Sequence, residues 1–130
     1  MRLVEILSGA VYTIWALDLA SGGEPENCPA KLFLVELGRT HPRASRELAV
    51  ILDRHANYGP IKNEQKSRSL GDGIFEFKAS QGQGHRILYF YQQGSMTILT
   101  HGFPKKNNRQ TEAEKQRAIG FRDRWRAENR

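Results

Sequence analysis

Three short runs of β-branched and aromatic residues, separated by glycine-containing turns, constrain this chain more than any other feature. The runs cover residues 74–78, 86–91 and 96–101. Runs of this kind, joined by turns of hairpin length, are typical of an antiparallel meander. A small sheet whose ends and one face carry cations is suited to bind a phosphate backbone. The cations at or beside the ends of these runs are Lys66, Arg68, Lys78, Arg86, Lys105 and Lys106.

The rest of the chain predicts one strand before the meander and three helices around it. Residues 11–17 are rich in strand-forming side chains. Apolar residues at helical spacing predict helices over residues 30–37 and 43–58, and the short link between them favours a helical hairpin packed on the sheet. A capping box that starts at Thr111 predicts a C-terminal helix. The fold class is therefore α+β: a small twisted antiparallel sheet of about four strands, with a helical hairpin on one face and a C-terminal helix.

The length and the charge distribution narrow the kind of partner. At 130 residues, the chain is expected to form one domain over residues 1–130, with residues 1–10 as an unplaced N-terminal extension. Residues 1–60 hold seven acidic and six basic side chains, whereas residues 61–130 hold seven acidic and fourteen basic ones. All the excess positive charge lies in the half that contains the meander. A polyanion is the natural partner, and nucleic acid is favoured over a membrane because no strongly apolar amphipathic segment accompanies the charge.

Composition also bears on location and on cofactors. The single cysteine, Cys28, excludes an internal disulfide and a cysteine-rich zinc site. No run of about 20 apolar residues is present, so no transmembrane helix is expected. Glu5 and Asp18 interrupt or flank the two early apolar runs, which argues against a signal peptide. The sequence predicts a cytoplasmic protein that needs neither a cofactor nor a metal.

Three motifs in the meander carry a resemblance to a known family. Residues 70–78 read Leu-Gly-Asp-Gly-Ile-Phe-Glu-Phe-Lys, residues 85–90 read His-Arg-Ile-Leu-Tyr-Phe, and residues 101–106 read His-Gly-Phe-Pro-Lys-Lys. In this order and spacing they resemble the RelE/ParE superfamily of bacterial toxins, and within it the phage-related, HigB-like branch of type II toxin–antitoxin systems.

The resemblance implies an activity, partners and a site. The activity is metal-independent endoribonuclease cleavage of mRNA, typically on the ribosome, by attack of a ribose 2′-hydroxyl on the adjacent phosphate. The protein partner is a helix-turn-helix antitoxin. Arg86 is expected to hold the scissile phosphate, Lys78 to stabilise charge or transfer a proton, and Lys106 to stabilise the leaving group. The residues expected to bind RNA are Lys66, Arg68, Lys105, His85 and His101.

Several of these residues have structural alternatives. Lys78 at a strand end is also typical of edge protection. His101, among apolar neighbours, is also typical of a hydrogen-bonded packing residue. Glu76 shares a face with Lys78 by the alternation of a strand, so either a base or a salt-bridge partner of a neighbouring cation is open to it.

Two other functions compete with cleavage. One is non-catalytic inhibition of DNA gyrase, as the ParE branch performs it on the same fold. The other is RNA binding by a prophage protein that has lost cleavage, because the chain lacks the tyrosine that some RelE members place just after the last strand. The cationic set of Arg86, Lys78, Lys105 and Lys106 favours the ribonuclease.

Overall fold

The computed structural model describes residues 1–20, 27–79 and 84–129. Within these ranges the chain forms six strands and three helices. In chain order they are β1 (Arg2–Ser8), β2 (Thr13–Asp18), α1 (Pro29–Thr40), α2 (Pro42–Tyr58), β3 (Ser67–Gly71), β4 (Ile74–Ala79), β5 (His85–Gln92), β6 (Met96–Pro104) and α3 (Asn108–Glu128). Most of the turn predicted between the first two runs of the meander falls at residues 80–83, outside the described residues.

The six strands form one mixed sheet in the order β1-β2-β6-β5-β4-β3. The meander β4-β5-β6 is antiparallel, as predicted, but β2 pairs with β6 in parallel. The prediction of about four antiparallel strands is therefore wrong in number and in one pairing. The two additional strands, β1 and β3, are the edges of the sheet. They arise from the N-terminal residues left unplaced and from the polar segment before the meander.

Tight turns explain both additional hairpins. β3 and β4 are joined by Asp72 and Gly73, whose φ angles of 55° and 77° are both positive. Two positive φ angles are what a two-residue turn of type I′ requires, and Asp-Gly is one of its preferred sequences. β1 and β2 are joined by a turn whose Gly9 N–H donates to the carbonyl of Tyr12 at 2.9 Å.

The two faces of the sheet carry separate apolar cores. On one face, the hairpin of α1 and α2 packs against alternate residues such as Phe77, Ile87 and Leu99, which confirms the predicted position of the helical hairpin. On the other face, α3 packs Ala118 and Trp125 against the sheet. The prediction that α3 starts at a Thr111 capping box is wrong, because the side chain of Asn107 caps the helix by accepting the N–H of Gln110 at 3.0 Å.

No helix in the described ranges combines the length and the apolar character needed to cross a membrane.

Candidate functional site

Two arginines pair with one buried carboxylate on the sheet, and two lysines lie beside them. Arg68 on β3 is paired in register with Glu76 on β4, and Lys78 on β4 is paired with Arg86 on β5. Because side chains alternate along a strand, all four share the face that α3 covers in part. Lys105 directly follows β6 and acts electrostatically on Lys78. We call Arg68, Lys78, Arg86 and Lys105 the basic cluster.

Glu76 lies in the middle of the basic cluster and is fully buried. Its Oε1 accepts a hydrogen bond from Arg68 Nε at 2.7 Å. Its Oε2 lies 3.8 Å from Arg86 Nε, which is an ion-pair distance but longer than a hydrogen bond. The salt-bridge alternative for Glu76 is therefore the one that the structure contains, and the carboxylate pairs with arginines from the strands on either side.

Arg86 is held from several directions. Its side chain is only 12% exposed, and its Nη1 donates to the backbone carbonyl of His85 at 3.3 Å. Gly84, with a φ of 79°, lets the backbone pass close to the guanidinium, since a Cβ there would meet Arg86 Nη1 at 3.0 Å. Burial lowers the pKa of Arg86, while Glu76 opposes this shift and Arg68 adds to it. An arginine remains charged despite such a shift, so the site keeps a fixed, partly desolvated guanidinium.

Lys78 occupies a more open position beside Arg86. Its Nζ donates to the backbone carbonyl of Glu64 at 3.3 Å. Burial lowers the pKa of Lys78, and the positive charges of Arg68 and Arg86 lower it further, against the opposing effect of Glu76. A lysine with a lowered pKa transfers a proton more readily near neutral pH than an ordinary surface lysine does.

Two of the predicted lysines lie apart from this cluster. Lys66 precedes β3, and its Nζ lies 3.6 Å from Glu47 Oε1 on α2. Its backbone carbonyl accepts the N–H of Lys78 at 2.8 Å, so Lys66 supports the site through its main chain. Lys106 is exposed in the short link between β6 and α3, where its N–H donates to Gln110 Oε1 at 2.8 Å.

The two predicted histidines are buried on opposite faces of the sheet. His85 faces the helical hairpin, with its ring 4.7 Å from that of His41, and burial lowers its pKa. His101 lies under α3, where its Nε2 is 3.5 Å from Glu114 Oε1. Burial lowers the pKa of His101 to about 4, so its ring is neutral at neutral pH. The packing alternative fits the position of His101, and RNA binding by either histidine stays a prediction.

The described residues contain no group of three or more His, Cys, Asp or Glu side chains arranged to hold a metal ion. The charged groups that the site does offer are its cations. A set of fixed guanidinium and ammonium groups stabilises charge on a phosphate, and a bidentate guanidinium also orients it.

Sequence reasoning missed the part of the site that β3 contributes. The sequence predicts Arg68 as an RNA-binding residue in a polar segment and predicts no partner for it. The Asp72-Gly73 turn signal predicts a strand before it, and a strand there places Arg68 directly opposite Glu76.

Comparison with known proteins places the chain in a family. A profile of the family described as "Phage derived protein Gp49-like (DUF891)" matches residues 36–121, a segment that includes α2 to β6 and much of α3. That family lies within the RelE/ParE-like superfamily of toxins from toxin–antitoxin systems. An uncharacterised protein of Haemophilus influenzae is 41% identical over 49 residues, which is 38% of this chain and 43% of that protein. The match thus spans less than half of that relative's length.

Proposed function

This chain belongs to the Gp49-like family of phage-derived proteins, and from that premise we propose that it is an endoribonuclease toxin that cleaves mRNA without a metal. The basic cluster is the observation that carries the proposal. We place the chain in the HigB-like branch and propose a helix-turn-helix antitoxin as its protein partner, with the translating ribosome in the cytoplasm as its place of action.

The proposed reaction is attack of a ribose 2′-oxygen on the adjacent phosphorus. The new bond joins the 2′-oxygen to phosphorus, and the bond from phosphorus to the 5′-oxygen of the next nucleotide breaks. The 2′-hydroxyl loses its proton and the 5′-oxygen gains one, so the products are a 2′,3′-cyclic phosphate and a free 5′-hydroxyl. The reaction needs a proton acceptor at the 2′-hydroxyl, charge stabilisation at the phosphate and a proton donor at the leaving oxygen.

The basic cluster and Lys106, which lies apart from it, are proposed to divide the roles. Arg86, fixed and partly desolvated, holds the non-bridging oxygens of the scissile phosphate. Lys78, whose pKa burial lowers, stands beside Arg86 and stabilises the developing charge or transfers a proton. Lys106, exposed after β6, stabilises the leaving oxygen.

Other cations bind the RNA backbone in this proposal. Arg68 and Lys105 adjoin the cluster and contact neighbouring phosphates. Lys66 contributes if its side chain leaves Glu47. His85 and His101 contact RNA only if their rings leave their buried positions, so they rank below the cations as contacts.

Cleavage of a translated message by Arg86 variants tests the proposal. Arg86→Ala is expected to lower the single-turnover cleavage rate roughly a hundredfold or more, because removal of one such donor commonly costs about 2.7–4 kcal/mol of transition-state stabilisation. Arg86→Lys should recover only part of the rate, since an ammonium keeps the charge but loses the two-pronged geometry. The matched control is Arg124→Ala, an arginine of α3 whose side chain is 61% exposed, and circular dichroism checks folding.

Three outcomes separate the alternatives. If the wild type cleaves the message and Arg86→Ala does not, the result supports the ribonuclease. Growth arrest with intact message and blocked DNA supercoiling would identify a gyrase inhibitor instead. Normal growth at high expression of folded protein, with RNA bound but uncut, would identify an RNA-binding protein that has lost cleavage.

A further inference from the structure

The buried carboxylate of Glu76 has no role in the reaction as proposed, yet it is the group that the basic cluster surrounds. Register places it directly opposite Arg68 and diagonally beside Arg86, on the same face of the sheet. A fully buried carboxylate is costly unless cations and hydrogen bonds compensate it. The position of Glu76 therefore calls for a reason beyond packing.

The two arginines approach the carboxylate through the same atom. Arg68 donates its Nε–H to Oε1 at 2.7 Å, whereas Arg86 Nε stands 3.8 Å from Oε2. Arginine has five N–H donors, so contact through Nε leaves donors on the terminal nitrogens for an anion. In Arg86, one donor of Nη1 is taken by the carbonyl of His85, and the remaining terminal donors are left. Glu76 thus hydrogen-bonds the inner edge of the Arg68 guanidinium, lies beside the inner edge of that of Arg86, and leaves the outer edges for a ligand.

The contact with Arg86 is incomplete in this structure. Glu76 Oε2 and Arg86 Nε are both buried, and neither has a hydrogen-bond partner in the part of the chain that the structure describes. Buried donors and acceptors in folded proteins are nearly always paired, so two that lie 3.8 Å apart mark a contact that a small shift of the guanidinium completes.

We infer that Glu76 is a positioning residue of the phosphate site: it holds Arg68 and Arg86 on either side, and its bond to Arg86 closes when a phosphodiester binds. The inference rests on the proposed function for its substrate class. The repulsion among the cations would otherwise drive the guanidiniums apart, and the single carboxylate offsets it while the cluster keeps a net positive charge.

Replacement of the carboxylate by an amide separates positioning from charge. In Glu76→Gln, the amide oxygen accepts from one arginine only, and the NH₂ group faces the other arginine donor to donor. The substitution also removes one negative charge, so the net charge of the cluster becomes more positive by one. We expect the single-turnover cleavage rate at saturation to fall about a hundredfold, which is the scale of a misplaced reacting group. Affinity for a 2′-O-methylated single-stranded RNA, which cannot be cut, should stay the same or tighten.

Two variants complete the comparison. Glu76→Asp keeps the charge but withdraws it by one methylene, so its rate should lie between those of the wild type and Glu76→Gln. Glu36→Gln is the matched control, since Glu36 accepts from Arg39 at 2.6 Å on α1, against the opposite face of the sheet. Its rate should equal that of the wild type. Urea denaturation gives the folded fraction of every variant at the assay temperature.

The outcomes are distinct. A wild-type rate in Glu76→Gln, or a rate that falls only with the folded fraction or together with RNA affinity, overturns the inference. If Glu76→Gln does not fold, Glu76→Asp is held to the same criteria.

A second measurement needs no variant. The NMR signal of Arg86 Nε–H in the wild type should move downfield when the 2′-O-methylated RNA binds, because the bond to Glu76 forms, and a signal that does not move overturns the inference. If the wild type does not cleave RNA but this NMR shift is observed, the ribonuclease is rejected, and the role of Glu76 in positioning the arginines of a phosphate site is kept.

Discussion

His55 shows how much a single buried side chain contributes to this fold. It lies on α2 and is fully buried, and its Nε2 is hydrogen-bonded to Thr97 Oγ1 on β6 at 2.9 Å. Its ring packs at 4.8 Å from that of Tyr12, just before β2, and at 5.0 Å from that of Phe77 on β4. One side chain therefore contacts two strands and the segment just before β2 from a helix, and it does so in the neutral form, because burial lowers its pKa to about 4.

The neutral state of His55 predicts a pH dependence of stability. The pKa in the unfolded chain is about 6.5, above the folded value of about 4. Between these values the unfolded state binds more protons, so the free energy of unfolding falls as the pH drops through this window. The stability that neutral His55 contributes is fully present above the window. His55 alone should contribute a loss of about 2–3 kcal/mol between pH 7 and pH 4.5.

Urea denaturation at both pH values, on the wild type and on His55→Gln, measures this contribution. The glutamine does not titrate but can still hydrogen-bond Thr97. Because it lacks the ring that packs on Tyr12 and Phe77, the variant should be less stable at pH 7, and its free energy of unfolding should fall less on acidification. Carboxylates and His101 titrate in both proteins and cancel in the difference. Parallel pH profiles for the two proteins would show that His55 is not the titrating group.

At the scale of the elements, the contact between the end of α2 and the β1–β2 turn holds the β1–β2 hairpin, whose first strand the sequence did not predict. The N–H groups of Val11 and Tyr12 both donate to the carbonyl of Ala56, at 2.8 and 2.9 Å. Gly9 lies so close to α2 that a Cβ there would meet the carbonyl carbon and oxygen of Ala56 at 2.4 Å. A backbone atom cannot swing aside as a flexible side chain does, so this approach requires glycine.

Gly9→Ala should therefore destabilise the protein by about 1–3 kcal/mol, the range for overpacking in a tight contact. The matched control is Gly120→Ala in α3, where nothing lies within 4 Å of the added Cβ. Alanine favours a helix over glycine by up to about 1 kcal/mol, so the control should be neutral or stabilising. Thermal denaturation compares the two. Equal melting temperatures would mean that the β1–β2 hairpin can detach from α2 at no cost.

The elements that sequence patterns predicted and those they missed differ by their place in the sheet. The central strands β4, β5 and β6 are buried on both sides and show dense runs of apolar and aromatic residues. The missed strands, β1 and β3, are edge strands with one neighbour each, and their burial alternates only weakly. An edge strand buries less, so its sequence carries less of the strand signature. The direction of the β2–β6 pairing was also hidden, because apolar patterning is the same for parallel and antiparallel neighbours.

The candidate site followed the same rule. Alternation along β4 placed Glu76 and Lys78 on one face, and the motif singled out Arg86 on the neighbouring strand. The position of Arg68 depended on the edge strand β3, so its contact with Glu76 was not foreseen. Burial of His85 and His101 depends on packing by the helices, which strand alternation does not show.

Over the whole molecule, charge is divided along the chain in a way that matches the sheet. The half that contains the meander and α3 holds all the excess positive charge. Several cations of α3 are held by partners, such as Lys115, whose Nζ lies 2.8 Å from Asp72 in the β3–β4 turn. The basic cluster is different, since its two arginines share the single carboxylate of Glu76. It is therefore the region expected to attract RNA over a distance.

This distribution predicts how RNA affinity depends on salt. For single strands, the logarithm of the association constant falls with the logarithm of salt concentration by about 0.7 per neutralised phosphate. If the four cations of the basic cluster each neutralise one phosphate, the slope should be about −3.

Lys105→Ala should weaken binding and flatten the slope by about 0.7, with a smaller effect on the cleavage step than Arg86→Ala has. Arg39→Ala on α1, an exposed arginine in the acidic half of the chain, is the matched control. Fluorescence titrations of a 2′-O-methylated RNA between 50 and 200 mM salt, the range over which such slopes are resolved, give all three values. The electrostatic role of the cluster requires Lys105→Ala to have the flatter slope. If instead Arg39→Ala flattens the slope as much as Lys105→Ala does, RNA binds by the overall charge of the protein, and the site must be sought beyond this face of the sheet.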